Sequence, residues 1–255
     1  MADRILTIPC LDDNYAYLIH KEDTNTTLLV DAPDATPIEA ALTAEGWTLD
    51  YVLITHHHWD HVDGLAQLQK HHSPILVGAK ADEHRLPALD LAVNAGGSVD
   101  IKGLQIDIID VPGHTIGHIA YYIPEFNALF SADSLMVMGC GRLFEGTPDQ
   151  MWASLETLMT LPSDTLIYGG HEYTQANTAF ALSVDGDNPV LLRRAQEIDA
   201  MRAKDIPTNP ALLSFELQTN PFLRAKDADF KRRLGMAEAP DAAVFAELRA
   251  RKDNF

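Results

Sequence analysis

Length, composition and charge restrict what this chain can be. It has 255 residues, 46% of them hydrophobic, and a formal net charge of −18 at pH 7. This apolar content is enough to bury the core of one large domain, or of a domain with a smaller appendage. The strong negative charge opposes nucleic-acid binding over most of the surface, and the sequence contains no basic stripe that would offset it. We therefore expect a globular protein without a nucleic-acid partner.

The N-terminus and the cysteine count bear on the cellular compartment. Residues 1–8 include an acid and no uninterrupted apolar stretch, so they do not resemble a signal peptide, and no later segment is long enough to span a bilayer. The two cysteines, Cys10 and Cys140, are too few for a disulfide framework. We expect a cytoplasmic monomer with no membrane partner.

The order of apolar runs predicts a β-rich part followed by a helical part. The predicted strands are Arg4–Ile8, Tyr15–His20, Thr27–Val30, Tyr51–Ile54, Ile75–Val77, Leu104–Val111, His118–Ile123, Ala128–Phe130 and Thr165–Tyr168. The predicted helices are Thr36–Glu45, Leu65–His71, Pro148–Met159, Asn188–Lys204, Ala228–Leu234 and Asp241–Lys252. Strand-like runs end near Tyr173, and prolines separate the last helices. We place a catalytic domain at residues 1–172 and a helical substrate-binding domain at residues 173–255.

The segment Thr55–His61 is the densest cluster of metal-ligand side chains in the chain. It holds four histidines and one aspartate in seven residues, directly after the apolar run Tyr51–Ile54. Imidazole and carboxylate ligands without cysteine suit zinc, iron or manganese, and argue against a thiolate-rich structural zinc site. The pattern His-x-His-x-Asp-His indicates a metal site that needs further ligands.

Three other strand-like runs are each followed by a ligand-type residue. These residues are His114, Asp133 and His171. Strand ends on one edge of a sheet converge in space, and loops held by a rigid sheet are common places for sites. Glycines beside two of them, Gly113 and Gly170, permit tight turns. We therefore expect four strands to deliver ligands to one place.

The spacing predicts how the ligands divide between two metal ions. Residues two apart in an extended segment point the same way, so His56 and His58 favour one ion while His57 points elsewhere. We expect His114 to join that pair, and Asp60, His61 and His171 to hold a second ion. Asp133 would bridge the ions at a separation of about 3.5–4 Å, and a water held between them would become a nucleophilic hydroxide near neutral pH. Asp60 and Asp133 are the candidate catalytic carboxylates.

The ligand order resembles that of the metallo-β-lactamase superfamily, and longer motifs resemble glyoxalase II, the hydroxyacylglutathione hydrolase family. The motifs are Thr55–His61, Pro112-Gly113-His114-Thr115, Gly139–Thr147, Gly170–Thr174, Asn220–Arg224 and Arg249–Phe255. They extend through nearly the whole chain. The resemblance implies an α/β (α+β) protein with an αββα sandwich and a small C-terminal α-helical domain. It also implies two divalent metal ions, with zinc as the first expectation and iron or manganese as alternatives.

The same resemblance implies a reaction and a binding surface. The reaction is hydrolysis of S-D-lactoylglutathione, and of related S-2-hydroxyacylglutathiones, to D-lactate and glutathione, the second step of methylglyoxal detoxification. The family's glutathione-contacting positions fall on Arg142, Phe144, Tyr173, Arg249 and Lys252. Phe144 stands where some members have tyrosine, so a hydroxyl contact is expected to be missing. Ala132-Asp133-Ser134 replaces the common Gly-Asp-Thr but keeps the carboxylate.

Other functions remain as alternatives at the level of sequence. An iron-dependent persulfide dioxygenase shares much of the ligand pattern, but it uses one metal and lacks the terminal Arg-x-x-Lys. A β-lactamase or a tRNA-processing nuclease would leave the glutathione motifs unexplained. A non-catalytic metal-binding module is a fourth alternative, since a fold alone does not prove activity. We expect such a module to have lost one or more of the seven ligands.

Several nearby residues have a plainer interpretation. His57 has the ligand residue type but the wrong direction, and His118 is expected to be a core histidine that holds its loop. Cys140 lies near the predicted site, yet a metal centre would already supply the nucleophile. We therefore expect Cys140 to be a small buried residue.

Overall fold

The computed structural model describes residues 3–255, and these residues pack into two compact units. Met1 and Ala2, at the start of the stretch that does not resemble a signal peptide, lie outside the described residues. Of the described residues, the first unit comprises 3–110 and Gly117–Phe126, and the second comprises Val111–Ile116 and Asn127–Phe255. The division into functional domains at residues 172 and 173 stays a prediction. Within residues 3–255, every helix is too short or too polar to cross a membrane.

A six-stranded sheet forms the centre of the first unit. Its strands follow chain order, antiparallel from β1 to β3 and parallel from β3 to β6. β2 and β3 are buried along their whole length, which fits strands covered on both faces. The strands are β1 (Arg4–Cys10), β2 (Asn14–Lys21), β3 (Thr26–Val30), β4 (Tyr51–Leu53), β5 (Ile75–Ala79) and β6 (Leu91–Val93).

Helices make the crossovers between the parallel strands. α1 (Ala35–Glu45) begins at Asp34, whose carboxylate accepts a hydrogen bond from the Thr36 N–H, and ends at Gly46 in the left-handed conformation. Between β4 and β5 lie the one-turn helix α2 (Trp59–Val62) and α3 (Leu65–His71). The predicted ligand segment therefore starts as an extended chain, as expected, and enters a helix at Trp59.

The remaining strands of the first unit form an antiparallel meander. β7 (Ser98–Ile101) pairs with β8 (Leu104–Asp110), and β8 pairs with β9 (Ile119–Ile123). In β8 the buried side chains alternate with more exposed ones, the pattern of a strand with one covered face.

The second unit combines short strands with most of the helices. β10 (Ala128–Ala132) pairs in parallel with β13 (Leu166–Gly169), β13 pairs with β14 (Ala211–Leu212), and β11 (Leu135–Met136) pairs with β12 (Gly139–Cys140). The helices are α4 (Pro148–Leu158), α5 (Thr174–Asp185), α6 (Pro189–Arg202), α7 (Leu213–Thr219), α8 (Ala228–Arg233) and α9 (Asp241–Asp253). α4 begins with a capping box between Thr147 and Gln150.

All nine predicted strands and all six predicted helices are present, with shifts of one or two residues at most ends. The sequence did not predict α2, α5 and α7, nor the short strands β6, β7, β11, β12 and β14. α5 buries polar side chains, including Asn177 and Thr178, so its inward face does not look hydrophobic. The expectation that strands end near Tyr173 was wrong for Ala211–Leu212, a two-residue strand too short to give a periodic signal.

Candidate active site

The segment His56–His61 brings four predicted ligands together in the first unit. His56 and His61 are fully buried. The His56 ring centroid lies 4.7 Å from that of His58 and 4.2 Å from that of His61. His57 points differently, and its Nδ1 lies 3.3 Å from the Asp82 carboxylate. This placement agrees with the predicted non-ligand role of His57.

A buried carboxylate that the sequence reading missed orients two of these histidines. Asp31 accepts hydrogen bonds from His61 Nδ1 at 2.8 Å, from the Thr55 hydroxyl at 2.8 Å and from the Thr55 N–H at 2.9 Å. Because the Thr55 hydroxyl donates to Asp31, its oxygen accepts from His56 Nδ1, 3.0 Å away. Nδ1 is thus the protonated nitrogen in both rings, and Nε2 is the one that can present a lone pair to a metal.

The backbone at Asp31 supports a functional role for this residue. Its φ of 55° lies in the left-handed region, which costs energy for a residue with a side chain. Asp31 directly follows β3, so the strand-end rule that identified the predicted ligands would have found it too. Asp31, His56 and His61 offer ligand-type atoms within 4.8 Å of one another.

Asp60 is held by a second residue that the sequence reading missed. The Asn14 side-chain amide donates to the Asp60 main-chain carbonyl at 3.0 Å and to its carboxylate at 3.1 Å. Asn14 is itself buried at the start of β2. One amide therefore fixes both the backbone and the side chain of the candidate catalytic carboxylate.

The second unit brings His114, Asp133 and His171 together. One carboxylate oxygen of Asp133 lies 3.2 Å from His114 Nε2 and 3.3 Å from His171 Nε2. Asp133 directly follows β10 at a register shift, and Ala132 before it has a φ of 41°. This bulge turns the carboxylate out of the strand pattern.

These atoms fit a divalent cation. His114 Nδ1 is 2.9 Å from the Arg142 carbonyl, which can only accept, so this nitrogen carries the proton. His114 Nε2 then points a lone pair at the Asp133 carboxylate oxygen, an arrangement that a shared cation stabilises. Imidazole nitrogens and a carboxylate are the donors that zinc, iron and manganese accept.

Glycine is required where the chain passes closest to these ligands. A Cβ at Gly141 would lie 2.9 Å from His114 Nδ1 and closer still to the Asp133 carbonyl oxygen. At Gly113, φ is 155° and a Cβ would lie 2.7 Å from the Met151 Cβ. A side chain at Gly141 would displace His114 or Asp133, and one at Gly113 would collide with Met151 and strain the backbone next to His114.

Three of the predicted glutathione positions present exposed side chains beside the ligands of the second unit. Phe144 is 65% exposed, and its ring meets that of His114 edge-on with centroids 5.2 Å apart. The Tyr173 ring is 40% exposed and stacks on His171 with centroids 4.6 Å apart. The Arg142 side chain is 66% exposed and lies 3.9 Å from the Asp253 carboxylate.

The two cationic positions of α9 differ from one another. Arg249 is buried, and its guanidinium donates to the Cys140 carbonyl and to the Asp253 carboxylate. Lys252 is half-buried, and its Nζ is 3.2 Å from the Ala176 carbonyl oxygen. Burial lowers the pKa of Lys252, and the nearby guanidinium groups of Arg249 and Arg142 lower it further.

Cys140 is a buried free thiol, as the sequence reading expected. Burial raises its pKa to about 11, although the charge of Arg249 opposes this shift. The thiol is therefore protonated at neutral pH and is a poor nucleophile.

Comparison with known proteins assigns both parts of the chain. Residues 11–171 match the family model described as "Metallo-beta-lactamase superfamily", and residues 172–255 match the one described as "Hydroxyacylglutathione hydrolase C-terminus". A curated hydroxyacylglutathione hydrolase of Ruegeria pomeroyi is 61% identical over 98% of each chain. One of Roseobacter denitrificans is 54% identical over the full length of both.

A solved structure shares the fold. The crystal structure of ETHE1 from Myxococcus xanthus matches with a TM-score of 0.64 and 25% sequence identity, covering 99% of this chain and 98% of that one. Together with the family match of residues 11–171, this likeness confirms the fold that the resemblance implied.

Proposed function

Because this chain belongs to the hydroxyacylglutathione hydrolases of the metallo-β-lactamase superfamily, we propose that it hydrolyses S-D-lactoylglutathione and related S-2-hydroxyacylglutathiones. The chain is a thioester hydrolase with the αββα fold of the superfamily and a helical C-terminal region. The products of the proposed reaction are a 2-hydroxy acid, D-lactate for the lactoyl thioester, and glutathione. The persulfide dioxygenase alternative is not favoured. The two curated relatives named above are hydroxyacylglutathione hydrolases, and this chain matches them over 98% and 100% of their length.

The ligand set is the first part of the proposal. The fold and the histidine and aspartate clusters indicate divalent metal binding. We assign His56, His58 and His114 to one ion, Asp60, His61 and His171 to a second, and Asp133 to both. The observation that carries this assignment is the single Asp133 oxygen within 3.3 Å of two histidine Nε2 atoms. Zinc is the first candidate metal, with iron or manganese as alternatives.

A bound pair of such ions would supply an acidified water and polarise the thioester carbonyl. The residues around the ligand side chains fix their tautomers and orientations. Asp31 and Thr55 fix the tautomers of His56 and His61, and the Arg142 carbonyl fixes that of His114. Asn14 restrains Asp60, to which we assign the role of orienting the attacking water or accepting its proton. The thiolate of glutathione leaves without needing a strong protein acid.

Glutathione binding is the second part of the proposal. Glutathione carries two carboxylates and one ammonium at neutral pH, so a chain of net charge −18 needs local cations to hold it. Arg142 and Lys252 supply such cations, and the exposed rings of Phe144 and Tyr173 offer apolar contact beside the ligands. Phe144 has no hydroxyl to donate. Arg249 is the fifth predicted contact, but its present partners are all within the chain.

We also propose that the protein works as a cytoplasmic monomer. Both cysteines are buried free thiols, which suits a reducing compartment. Size-exclusion chromatography with light scattering tests the monomer, and cell fractionation tests the compartment. A stable dimer or a secreted product would contradict this part of the proposal.

A thiol-release assay combined with metal analysis tests the proposed function. The wild-type chain is expected to cleave S-D-lactoylglutathione much faster than a thioester without the glutathione moiety, and to carry two metal ions. His58→Ala should lose metal and activity together. His72→Ala, the same change at the end of α3, should keep both. Equal rates on the two thioesters would contradict the substrate, and full activity of His58→Ala would contradict the ligand set.

A further inference from the structure

Side chains from α5, from α7 and from the residue that caps α7 hold the segment Met136–Arg142, which we call the 136–142 turn. The Asn220 amide donates to the carbonyls of Met136 at 3.4 Å and Gly139 at 3.0 Å. The Asn177 amide donates to the Val137 carbonyl at 3.2 Å, and Glu216 accepts from the Met138 N–H at 2.8 Å. All three anchoring side chains are buried. These side chains therefore bond a backbone group of each residue from Met136 to Gly139 and fix the path of the turn.

Arg249 from α9 extends this set of anchors to Cys140. Its Nη1 donates to the Cys140 carbonyl at 3.0 Å, and its Nε and Nη2 donate to one oxygen of Asp253 at 3.1 and 2.8 Å. The guanidinium carbon lies 5.0 Å from the centre of the Phe222 ring. The side chain is only 6% exposed. Both the edge and the face of the guanidinium are thus occupied by the protein itself.

The 136–142 turn ends at a metal-ligand candidate. The Arg142 carbonyl accepts the hydrogen bond from His114 Nδ1, two residues beyond the carbonyl that Arg249 holds. Between them, Gly141 lies close to the same ligands, since a Cβ built on it would be 2.9 Å from His114 Nδ1 and closer still to the Asp133 carbonyl oxygen. The Cys140 carbonyl and the Arg142 carbonyl therefore belong to one short segment that lies against the His114 ring.

We propose that Arg249 is a positioning residue for the metal site. It holds the Cys140 carbonyl so that the Arg142 carbonyl keeps the His114 proton on Nδ1 and aims Nε2 at the metal. This role rests on the proposed function, in which His114 is a ligand. It is distinct from the glutathione contact that family resemblance implies for Arg249, because it acts through the Cys140 carbonyl, the Asp253 carboxylate and the Phe222 ring.

Lys252 provides the contrast on the same helix. Its ammonium lies over the rings of Phe180 and Phe255, at 5.6 and 5.4 Å from their centres, and its side chain is half-buried. Among residues 3–255, the hydrogen bond of the Lys252 ammonium goes to the Ala176 carbonyl and not to the 136–142 turn. Lys252 therefore remains a candidate for direct contact with glutathione.

Two thioesters and a cobalt spectrum separate the two roles. The full-length variants Arg249→Met and Arg249→Lys are reconstituted with Co(II), and each is assayed on S-D-lactoylglutathione and on S-lactoyl-N-acetylcysteamine, which lacks the charged ends of glutathione. Arg249→Met should lose up to about tenfold in kcat/KM on both substrates, no more than the loss of a direct outer partner of a metal ligand costs. Its visible Co(II) spectrum should change as well. Arg251→Met, the same change on the exposed side of α9, should match the wild type.

Three outcomes would overturn the positioning role. A loss confined to S-D-lactoylglutathione with an unchanged cobalt spectrum would make Arg249 a glutathione contact. An equal loss on both substrates with an unchanged spectrum would indicate only general destabilisation, and no loss would remove any role. Arg249→Lys can still donate to the Cys140 carbonyl, so it should keep the wild-type cobalt spectrum and most of the activity on both thioesters. If Arg249→Met does not fold, Arg249→Lys decides alone, and a loss confined to S-D-lactoylglutathione overturns the positioning role. A wild-type chain inactive on S-D-lactoylglutathione would instead contradict the proposed function.

Discussion

The two groups of candidate metal ligands are built in different ways. In the first unit the ligands are nearly contiguous, from His56 to His61, and side chains of Asp31, Thr55 and Asn14 orient them. In the second unit they come from three separate strand ends, and a backbone carbonyl of the 136–142 turn orients His114. The first group depends on individual side chains, whereas the second depends on the path of the backbone.

This difference predicts how each group responds to mutation. A single substitution can remove an orienting side chain in the first unit. In the second unit, no substitution deletes the Arg142 carbonyl, so its position can be disturbed only through its anchors. Mutations of the first unit's supporting residues should therefore give larger and more local effects.

The largest effect among the supporting residues is expected for Asp31→Asn. An amide cannot accept all three hydrogen bonds in the same way, so His61 and His56 lose their fixed tautomers together. We expect a loss of roughly 10- to 100-fold in metal affinity and activity. Competition with a chelator measures the affinity, and Asp63→Asn on the exposed surface is the control. Wild-type metal affinity in Asp31→Asn would contradict the claim that the ligands of the first unit depend on single orienting side chains.

A smaller effect is expected for Asn14→Ala. Asp60 keeps its place in the chain but loses the amide that restrains its carboxylate, so kcat should fall by about tenfold. KM should change little, because Asn14 bonds the metal-ligand candidate Asp60 and is not one of the predicted glutathione contacts. Steady-state kinetics on S-D-lactoylglutathione measures both. A raised KM with an unchanged kcat would contradict the placement of Asn14.

Phe144→Tyr should give a still smaller effect, and a favourable one. The exposed ring would gain a hydroxyl able to bond glutathione, worth about 0.5–1.5 kcal/mol. KM for S-D-lactoylglutathione should fall a few-fold, while kcat/KM for a thioester lacking glutathione stays the same. A rise in KM would show that the ring faces away from the substrate.

Cys140→Ala is expected to change activity least, since the thiol is protonated and buried. Its effect should appear in stability at alkaline pH. Burial raises the pKa of the folded thiol to about 11, above its ordinary value of 9.0, so the thiol of the unfolded chain ionises first. The free energy of unfolding therefore falls as pH rises from about 9 to 11. Denaturant titrations should show a shallower decline for Cys140→Ala over that range. A large loss of activity at neutral pH would contradict the inert role of Cys140.

The sequence predicted the ligands better than their supports. Ligand residues are chemically distinctive and follow strand ends, so His114, Asp133 and His171 could be identified without knowledge of the fold. Asp31 and Asn14 carry ordinary polar side chains near turns, and only three-dimensional contact reveals what they hold. The same strand-end rule would nevertheless have found Asp31, which follows β3.

The helical part was the harder region to predict. α5 and α7 bury Asn177, Glu216 and Thr219, so their inward faces do not give the apolar periodicity on which helix prediction depends. These buried polar groups bond the 136–142 turn, which explains why the helices carry them. The resemblance indicated that Arg249 matters, but its burial and its bond to Cys140 could not be read from spacing.

Metal content of Asp133→Ala tests the central claim most directly, because Asp133 is the residue assigned to both ions. Elemental analysis of purified protein should give two ions per wild-type chain and one or none in the variant, with thioester hydrolysis lost. Asp164→Ala, at an exposed aspartate before β13, should retain two ions and full activity. An Asp133→Ala protein that keeps two ions and normal hydrolysis would contradict the bridging role and the two-metal site built on it.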